Sequence, residues 1–201
     1  MQFAVISGSH RQQSQSSKVA GHMARVLQEF GHSPAIIDLA GNPLPLWDDT
    51  FWQQDSELGK KFKPYSEKLK IADGFVFVSP EWAGMAAPGL KNFILYCRPE
   101  ELGHKPVLIV TVSAARGGSY PVAELRMSSY KNAFICYTPD HVIVRQVTEV
   151  LNDPAKPVSV EDEYIRQRLS YSLKMLTEYA KALKIVRASG VPDYKTYPFG
   201  M

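Results

Sequence analysis

The stretch FAVISGSHRQQSQSS, residues 3–17, joins a short apolar run to a serine-rich loop, and an amphipathic segment follows it. The apolar run is typical of a buried strand, and the apolar residues after the loop recur at helical spacing until Gly31. A strand that leads through such a loop into a helix directs free backbone N–H groups and the positive end of the helix dipole at one point. The stretch therefore predicts a strand, a phosphate-binding loop and a helix, which together begin an α/β fold.

The side chains of this loop also suit a phosphate group. Arg11 carries a permanent positive charge with several hydrogen-bond donors. Four serines in or just after the loop add hydroxyl donors: Ser9, Ser14, Ser16 and Ser17. The alternative is an ordinary polar turn whose serines only cap the helix. The position of the loop and the presence of Arg11 favour a phosphorylated cofactor.

Length and charge narrow the class of protein. The chain has 201 residues and a formal net charge of +3, with its basic residues scattered. This length suits one α/β domain, and scattered charge disfavours a nucleic-acid interface. No apolar run approaches the roughly 18 residues of a membrane span, and the N-terminus does not resemble a signal peptide. We expect a cytoplasmic protein that binds neither nucleic acid nor membranes, with Cys97 and Cys136 as reduced thiols.

Two continuous apolar runs form the predicted centre of the sheet. GFVFVS at residues 74–79 and PVLIVTVS at residues 106–113 are typical of strands buried on both faces. Shorter runs at 33–39 and 141–145 predict two more strands. Together with the first run, these give five strands that alternate with five predicted helices. The alternation predicts a doubly wound parallel sheet in the order 2-1-3-4-5.

The boundaries of several predicted helices depend on single residues. The helix at 58–72 contains Pro64, which must either break it or begin its helical portion. A further helix is predicted at 121–134, and a long one runs from a capping serine, Ser159, to near Gly190. Residues 1–190 would then form a single domain, and residues 191–201 a tail along the surface or a partner subunit.

Ligands of doubly wound sheets bind beyond the carboxyl ends of the strands, where the strand order reverses. The loops after the first, third and fourth predicted strands should therefore converge. These loops are SGSHRQQSQSS, SPEWAGMAAPG and SAARGGSY.

Taken together and in this order, the three loops resemble those of the NADPH-dependent FMN reductase family of flavodoxin-like proteins. The resemblance covers roughly the first three quarters of the chain. The family pattern GSxRxxS is matched by Gly8, Ser9, Arg11 and Ser14, and a pattern close to PEYNxxxPGxLKN by residues 80–92. The family's Gly-Gly pair after the fourth strand is matched by Gly117 and Gly118.

The resemblance implies an enzyme that binds FMN and takes hydride from NADPH or NADH for a quinone-like or other small acceptor. The first loop would wrap the phosphate of FMN, and the second would lie beside its ring through Pro80, Glu81, Trp82, Ala83 and Gly84. No catalytic side chain is implied, because the cofactor carries the hydride chemistry. Family members are commonly dimers or tetramers, so we expect a homodimer or homotetramer.

The chain departs from the family pattern in the second loop. Trp82 replaces the usual Tyr and Ala83 the usual Asn, so that a side-chain amide beside the flavin is missing. Trp82 could line the edge of the ring, or it could be a half-buried loop aromatic. Glu81 is interpreted as fixing its loop rather than as a general base.

The third loop is expected to face the pyrimidine edge of the flavin. Ser113, Gly117 and Gly118 could present backbone N–H groups where negative charge gathers on reduction. Arg116 could lie near that edge, bind an acidic group of the nicotinamide nucleotide, or remain a solvated loop arginine.

Two other functions are consistent with the same fold. One is a flavodoxin-type electron carrier that binds FMN without reacting with nicotinamide, and the other is an interaction module that has lost FMN. The positive charge and Arg11 disfavour the first, and the nearly complete phosphate loop disfavours the second.

Three aromatics after the second strand, Trp47, Phe51 and Trp52, are predicted to form a lid over the ring or a subunit contact.

Overall fold

The fold is that of a computed structural model, which describes residues 1–200. The strands within these residues are β1 (Gln2–Ser7), β2 (Ser33–Asp38), β3 (Gly74–Trp82), β4 (Met85–Ala86), β5 (Pro106–Val112) and β6 (Cys136–Val144). The α-helices are α1 (Gln15–Glu29), α2 (Glu57–Ile71), α3 (Pro88–Tyr96), α4 (Pro99–Leu102), α5 (Ser119–Met127) and α6 (Val160–Ala188). A short 3₁₀ helix occupies Asp49–Trp52.

The main sheet is parallel, with its strands in the order β2-β1-β3-β5-β6. Counting only these five strands, the order is 2-1-3-4-5, which confirms the predicted topology. The two-residue strand β4, which the sequence analysis did not predict, pairs antiparallel with the end of β3. The order reverses between β1 and β3, so the carboxyl ends of these strands flank the expected crevice.

Helices cover both faces of the sheet, and the alternation along β1 shows why the strands are continuously apolar. Phe3 and Val5 pack in a core with α1 and α6, whereas Ala4 and Ile6 pack in a second core with α2, α3 and α5. Successive strand residues point to opposite faces of the sheet. A strand that is buried on both faces therefore carries apolar side chains at nearly every position.

Several boundaries differ from those predicted. Pro64 neither breaks nor begins α2 but lies inside it, and the helix is held on both sides of the proline by the buried Phe62 and Leu69. The last strand begins at Cys136, five residues earlier than predicted, with a register shift beside Val107. Most of the first residues of β6 are exposed or half-buried, so the sequence there lacks the alternation of apolar and polar residues that is typical of a strand.

Helix α5 ends at Met127 rather than at residue 134. Ser129 adopts a φ of +66°, and its hydroxyl donates to the Leu125 carbonyl at 3.2 Å. Ser128 similarly donates to the Glu124 carbonyl at 2.7 Å. Serine side chains that bond to nearby backbone compete with the helix, which explains why it stops here.

The aromatic segment after β2 does not form a lid over the crevice. Phe51 is buried against Phe62 and Tyr96, and Arg98 lies over the rings of Phe51 and Trp52. The segment follows α3 away from the carboxyl ends of the strands, because the Pro45 carbonyl accepts from the Asn92 amide and the Tyr96 hydroxyl. Of the two predicted roles of these aromatics, the lid over the ring is therefore wrong, and the subunit contact stays a prediction.

The predicted tail, residues 191–201, includes Met201, which lies outside the described residues. The described part folds back on the same molecule. Tyr194 stacks on His104 at 5.9 Å and packs against Phe134, and Gly200 donates to the Lys131 carbonyl.

No helix within residues 1–200 is long and apolar enough to span a membrane.

Candidate functional site

A crevice lies at the carboxyl ends of the parallel strands, where the topology predicts it. Its cavity has a volume of about 220 Å³. Six of the predicted site residues line it: Ser9, Arg11, Ser16, Pro80, Glu81 and Trp82. The structure thus brings the first and second loops together around one cavity.

The first loop passes very close to β3. Gly8 donates its N–H to the Val78 carbonyl at 2.8 Å, and a Cβ at Gly8 would lie only 2.8 Å from that oxygen and 3.0 Å from Leu90. A side chain at this position would push the loop off the sheet. The loop then enters α1 through Ser14, whose hydroxyl accepts from the Ser17 N–H at 3.0 Å as a helix cap.

The start of α1 has the properties of an anion site. Within the described residues, the backbone N–H groups of residues 12–16 meet no hydrogen-bond acceptor. The hydroxyl of Ser16 is buried at the cavity and has no partner. The first turn of α1 carries no acidic residue. These unpaired donors and the helix dipole fit a phosphate group, as the resemblance implied.

Two residues at this helix start are engaged elsewhere. The Ser17 hydroxyl donates to the Asp38 carboxylate at 3.1 Å, and Ser17 does not line the cavity. Lys18 donates to the Val147 and Val150 carbonyls and to the Asn152 side chain at 2.6 to 2.8 Å. Burial lowers the pKa of Lys18. Lys18 therefore ties α1 to the segment after β6 instead of facing the crevice.

The second loop is a tight hairpin between β3 and β4. Trp82 pairs with Met85, and the two residues between them, Ala83 and Gly84, have φ values of +49° and +73°. Two-residue turns with positive φ at both positions favour Asn-Gly, because those residues tolerate the left-handed region. Trp82 itself meets the ring of His10 edge-on, with the centroids 4.5 Å apart. The hairpin therefore holds Trp82 against the first loop.

Glu81 joins the second loop to the third. Its carboxylate accepts from the Gly118 N–H at 2.6 Å. A Cβ at Gly117 would lie 2.7 Å from the same carboxylate, and one at Gly118 would lie 2.3 Å from Ile143. With a φ of +107°, Gly118 has to be glycine, whereas a side chain at Gly117 would displace the Glu81 carboxylate from its bond to Gly118. The geometry agrees with the interpretation of Glu81 as a loop-fixing residue.

The third loop is also held from the β6 side. Arg145 donates from Nε to the Arg116 carbonyl at 2.7 Å and to the Gly117 carbonyl at 3.1 Å. The side chain of Arg116 is exposed, and neither Arg116 nor Ser113 lines the cavity. The Ser113 hydroxyl instead accepts from the Ala115 N–H at 3.2 Å. Ala83, Gly84, Gly117 and Gly118 likewise lie beside the cavity without lining it.

Sequence reasoning missed part of the cavity wall. Gln15, Val112, Ala114 and Val147 also line it. Val147 follows β6, the last parallel strand, and its position could have been found by including the loop after that strand among the converging loops.

The doubly wound sheet, its reversal point and the serine-rich loop that leads into α1 define a flavodoxin-like fold. The family model for NADPH-dependent FMN reductases matches residues 1–149, and the chain belongs to this family. The protein is accordingly an oxidoreductase that uses FMN with NADPH or NADH, as the sequence analysis predicted.

Individual relatives agree with this assignment. The chain is 28% identical to the NADPH azoreductase of Bacillus sp. (strain OY1-2) over 144 residues, which cover 72% of this chain and 76% of that protein. It is 33% identical to the quinone reductase of Escherichia coli (strain K12) over 119 residues, 56% of this chain and 60% of that protein. The solved structure of the flavoenzyme NAD(P)H:(acceptor) oxidoreductase FerB from Paracoccus denitrificans matches with a TM-score of 0.72 at 18% identity, covering 90% of this chain and 97% of that one.

Proposed function

We propose that the crevice holds FMN and that the enzyme passes hydride from NADPH or NADH to a quinone-like or other small electron acceptor. When bound, FMN would supply the redox chemistry by accepting and donating hydride at N5 of its ring. The observation that carries the proposal is the set of unpaired donors at the start of α1, because a phosphate is the ligand that would satisfy them together.

The residues of the crevice have separate tasks in this proposal. The N–H groups of residues 12–16, the Ser16 hydroxyl and the Arg11 guanidinium would bind the phosphate. Trp82 and the hairpin turn would lie along the ring. The Glu81 carboxylate, by holding the Gly118 N–H, would fix the third loop at the other side of the ring. Ser14 and Ser113 would support the first and third loops through their hydrogen bonds to backbone N–H groups, and Ser17 would do so through its bond to Asp38. A role for Arg116 stays a prediction, because its side chain is exposed and does not line the cavity.

The acceptor is proposed to be a flat organic molecule. The relatives named an azoreductase and a quinone reductase suggest two such acceptors. Trp82, which lines the crevice, would help to position such a molecule by stacking.

The experiment is an absorbance spectrum of the purified protein with FMN, followed by anaerobic NADPH. A bound yellow chromophore that NADPH bleaches supports the enzyme. A chromophore that only dithionite bleaches would indicate the electron carrier instead, and failure to bind FMN would contradict the proposal. Adding a quinone after bleaching should restore the colour.

We also propose a single domain at residues 1–190, a homodimer or homotetramer, and a cytoplasmic location. The proposed oligomeric state rests on the resemblance to the family, whose members are commonly dimers or tetramers. Sedimentation of the FMN-bound protein at several concentrations tests it, and a monomer throughout would contradict it.

A further inference from the structure

A second cavity lies at the other end of the sheet. It has a volume of about 520 Å³, and its wall includes the aromatic side chains of Trp47, Trp52, Tyr194 and Phe199. It shares no lining residue with the crevice. Helix α3 begins near the carboxyl end of β3 and ends at Tyr96, so Cys97 and Arg98 of the second cavity lie toward the amino ends of the strands.

Arg98 is the cation of this cavity, and its guanidinium is held flat on aromatic faces. Its Cζ lies 4.3 Å from the ring centroid of Trp52 and 4.8 Å from that of Phe51. Its Nε–H is buried and has no acceptor within residues 1–200, and the ion pairs of those residues do not include it. Because Nε is enclosed by protein, a carboxylate in the cavity would meet the two Nη groups, which make no hydrogen bond or ion pair within residues 1–200 and could bind it in a bidentate manner.

The other groups of the wall do not neutralise this charge. The Cys97 thiol stays protonated, because burial raises its pKa well above the usual value. Burial likewise raises the pKa of the Tyr194 hydroxyl. Glu100 is the one acidic residue of the wall, and it is exposed at the rim. Lys131, whose Nζ lies 5.6 Å from the ring of Phe199, adds a second positive charge nearby.

We propose that this cavity is a second ligand site, separate from the flavin crevice, that binds a small planar aromatic carboxylate. The ring system would lie between the aromatic side chains, and the carboxylate would meet the guanidinium of Arg98. The volume is within the range of small-molecule sites, and a wall of aromatic side chains with one oriented charged group is their usual composition. The site does not depend on the function proposed for the crevice.

The test is calorimetric titration of the FMN-saturated protein with 2-naphthoate, so that the flavin crevice is already filled. We expect binding of 2-naphthoate, and weaker binding of the neutral analogue 2-naphthol by about tenfold or more, the usual value of a charge-assisted hydrogen bond. Arg98→Gln should weaken 2-naphthoate by the same factor and leave 2-naphthol unchanged. Trp52→Leu should weaken both ligands.

Matched variants separate this site from the crevice. Arg11→Gln should impair FMN binding and leave 2-naphthoate binding to the second cavity intact, whereas Arg98→Gln should do the reverse. Melting temperature and FMN titration of Arg98→Gln check that the variant is folded. No binding of 2-naphthoate at millimolar concentration, or equal binding by Arg98→Gln, would overturn the proposal.

A third result would also overturn it. Leu95 is 56% exposed at the edge of this cavity. If the protein is a dimer that Leu95→Asp dissociates, and if 2-naphthoate binds only to that variant, a second copy of the chain covers the cavity.

Discussion

At the scale of single residues, Arg11 is the side chain that best distinguishes a phosphate site from a simple helix cap. It lines the crevice and is exposed, so it is available to a ligand. Ser14, by contrast, already caps α1. The positive charge of Arg11 would meet the phosphate next to the free N–H groups, where it adds to the helix dipole.

Arg11→Ala should therefore weaken FMN binding by about 1.5 to 3 kcal/mol, the usual contribution of a hydrogen bond to a charged group. Fluorescence titration of the apoprotein with FMN measures this change. Arg25→Ala is a control, because Arg25 lies in α1, the helix that follows this loop, but bonds to the Pro154 carbonyl at 2.8 Å. An unchanged FMN titration for Arg11→Ala would remove Arg11 from the site.

Ala83 is a second residue whose conformation has a measurable cost. With a φ of +49° it occupies the left-handed region, which costs an alanine roughly 1 kcal/mol. Ala83→Asn should raise the free energy of unfolding by up to about that amount, because Asn tolerates this region. Urea denaturation without FMN tests it. Ala182→Asn, at an exposed position in α6, should instead lower stability slightly, since Asn is the poorer helix former.

At the scale of secondary-structure elements, the start of α6 depends on one buried carboxylate. Asp162 accepts from the N–H groups of Leu151 and Val158 at 2.9 and 3.0 Å and from Arg166 at 2.9 Å. Burial alone would raise the pKa of Asp162, but these hydrogen bonds lower it below the usual value. Asp162 thereby holds Leu151, four residues after Val147, which lines the crevice.

Asp162→Ala should destabilise the protein by about 3 kcal/mol, because it removes the anionic acceptor of the largely buried Arg166 guanidinium and of the Leu151 and Val158 N–H groups. Chemical denaturation measures the loss. Glu161→Ala, the exposed neighbour in the same helical turn, should change stability by less than about 0.5 kcal/mol. Equal effects of the two substitutions would contradict this view of the helix start.

The packing of α1 against α6 should make stability sensitive to acid. His22 is buried, and desolvation, together with Arg166 and Arg25, lowers its pKa to about 4. The unfolded chain takes up this proton near pH 6.5, before the folded state does. His22 therefore removes stability as the pH falls from about 6.5 toward 4, with the full loss reached below the folded pKa.

His22→Leu should reduce the difference in unfolding free energy between pH 7 and pH 5 by about 1.5 to 2 kcal/mol. Denaturation curves at the two pH values measure it. Met23→Leu, a buried neighbour on the same helix, should keep the wild-type dependence on pH.

At the scale of the whole molecule, the crevice is built by three loops that belong to different strands. The Glu81 carboxylate bonds to Gly118, Gly8 bonds to Val78, and Arg145 bonds to the backbone of the third loop. A ligand in this crevice would contact segments far apart in the chain, so its binding should stabilise the whole fold against unfolding.

FMN at 100 times its dissociation constant should stabilise the fold by about 2.7 kcal/mol, and the melting temperature should rise by roughly 5 to 10 °C for a domain of this size. Riboflavin at the same concentration should raise it much less, because it lacks the phosphate. Differential scanning fluorimetry compares the two. An equal shift with both ligands would show that the phosphate loop does not bind the cofactor.

The sequence by itself determined the sheet and the position of the crevice. Continuous apolar runs such as residues 74–79 are specific for central parallel strands, and the loops after them must then meet at one edge. Local signals such as Gly31 and Ser159 set helix ends correctly, because capping depends on the nearest few residues.

Only the tertiary structure decided which loop residues reach the cavity and where the aromatic segment packs. The direction of Ser17, toward Asp38 on β2, and the burial of Phe51 against α2 and α3 depend on partners distant in sequence. The same is true of Pro64, which stays within α2 because its neighbours are buried in the core. Such contacts follow from packing between elements, and local sequence patterns do not carry that information.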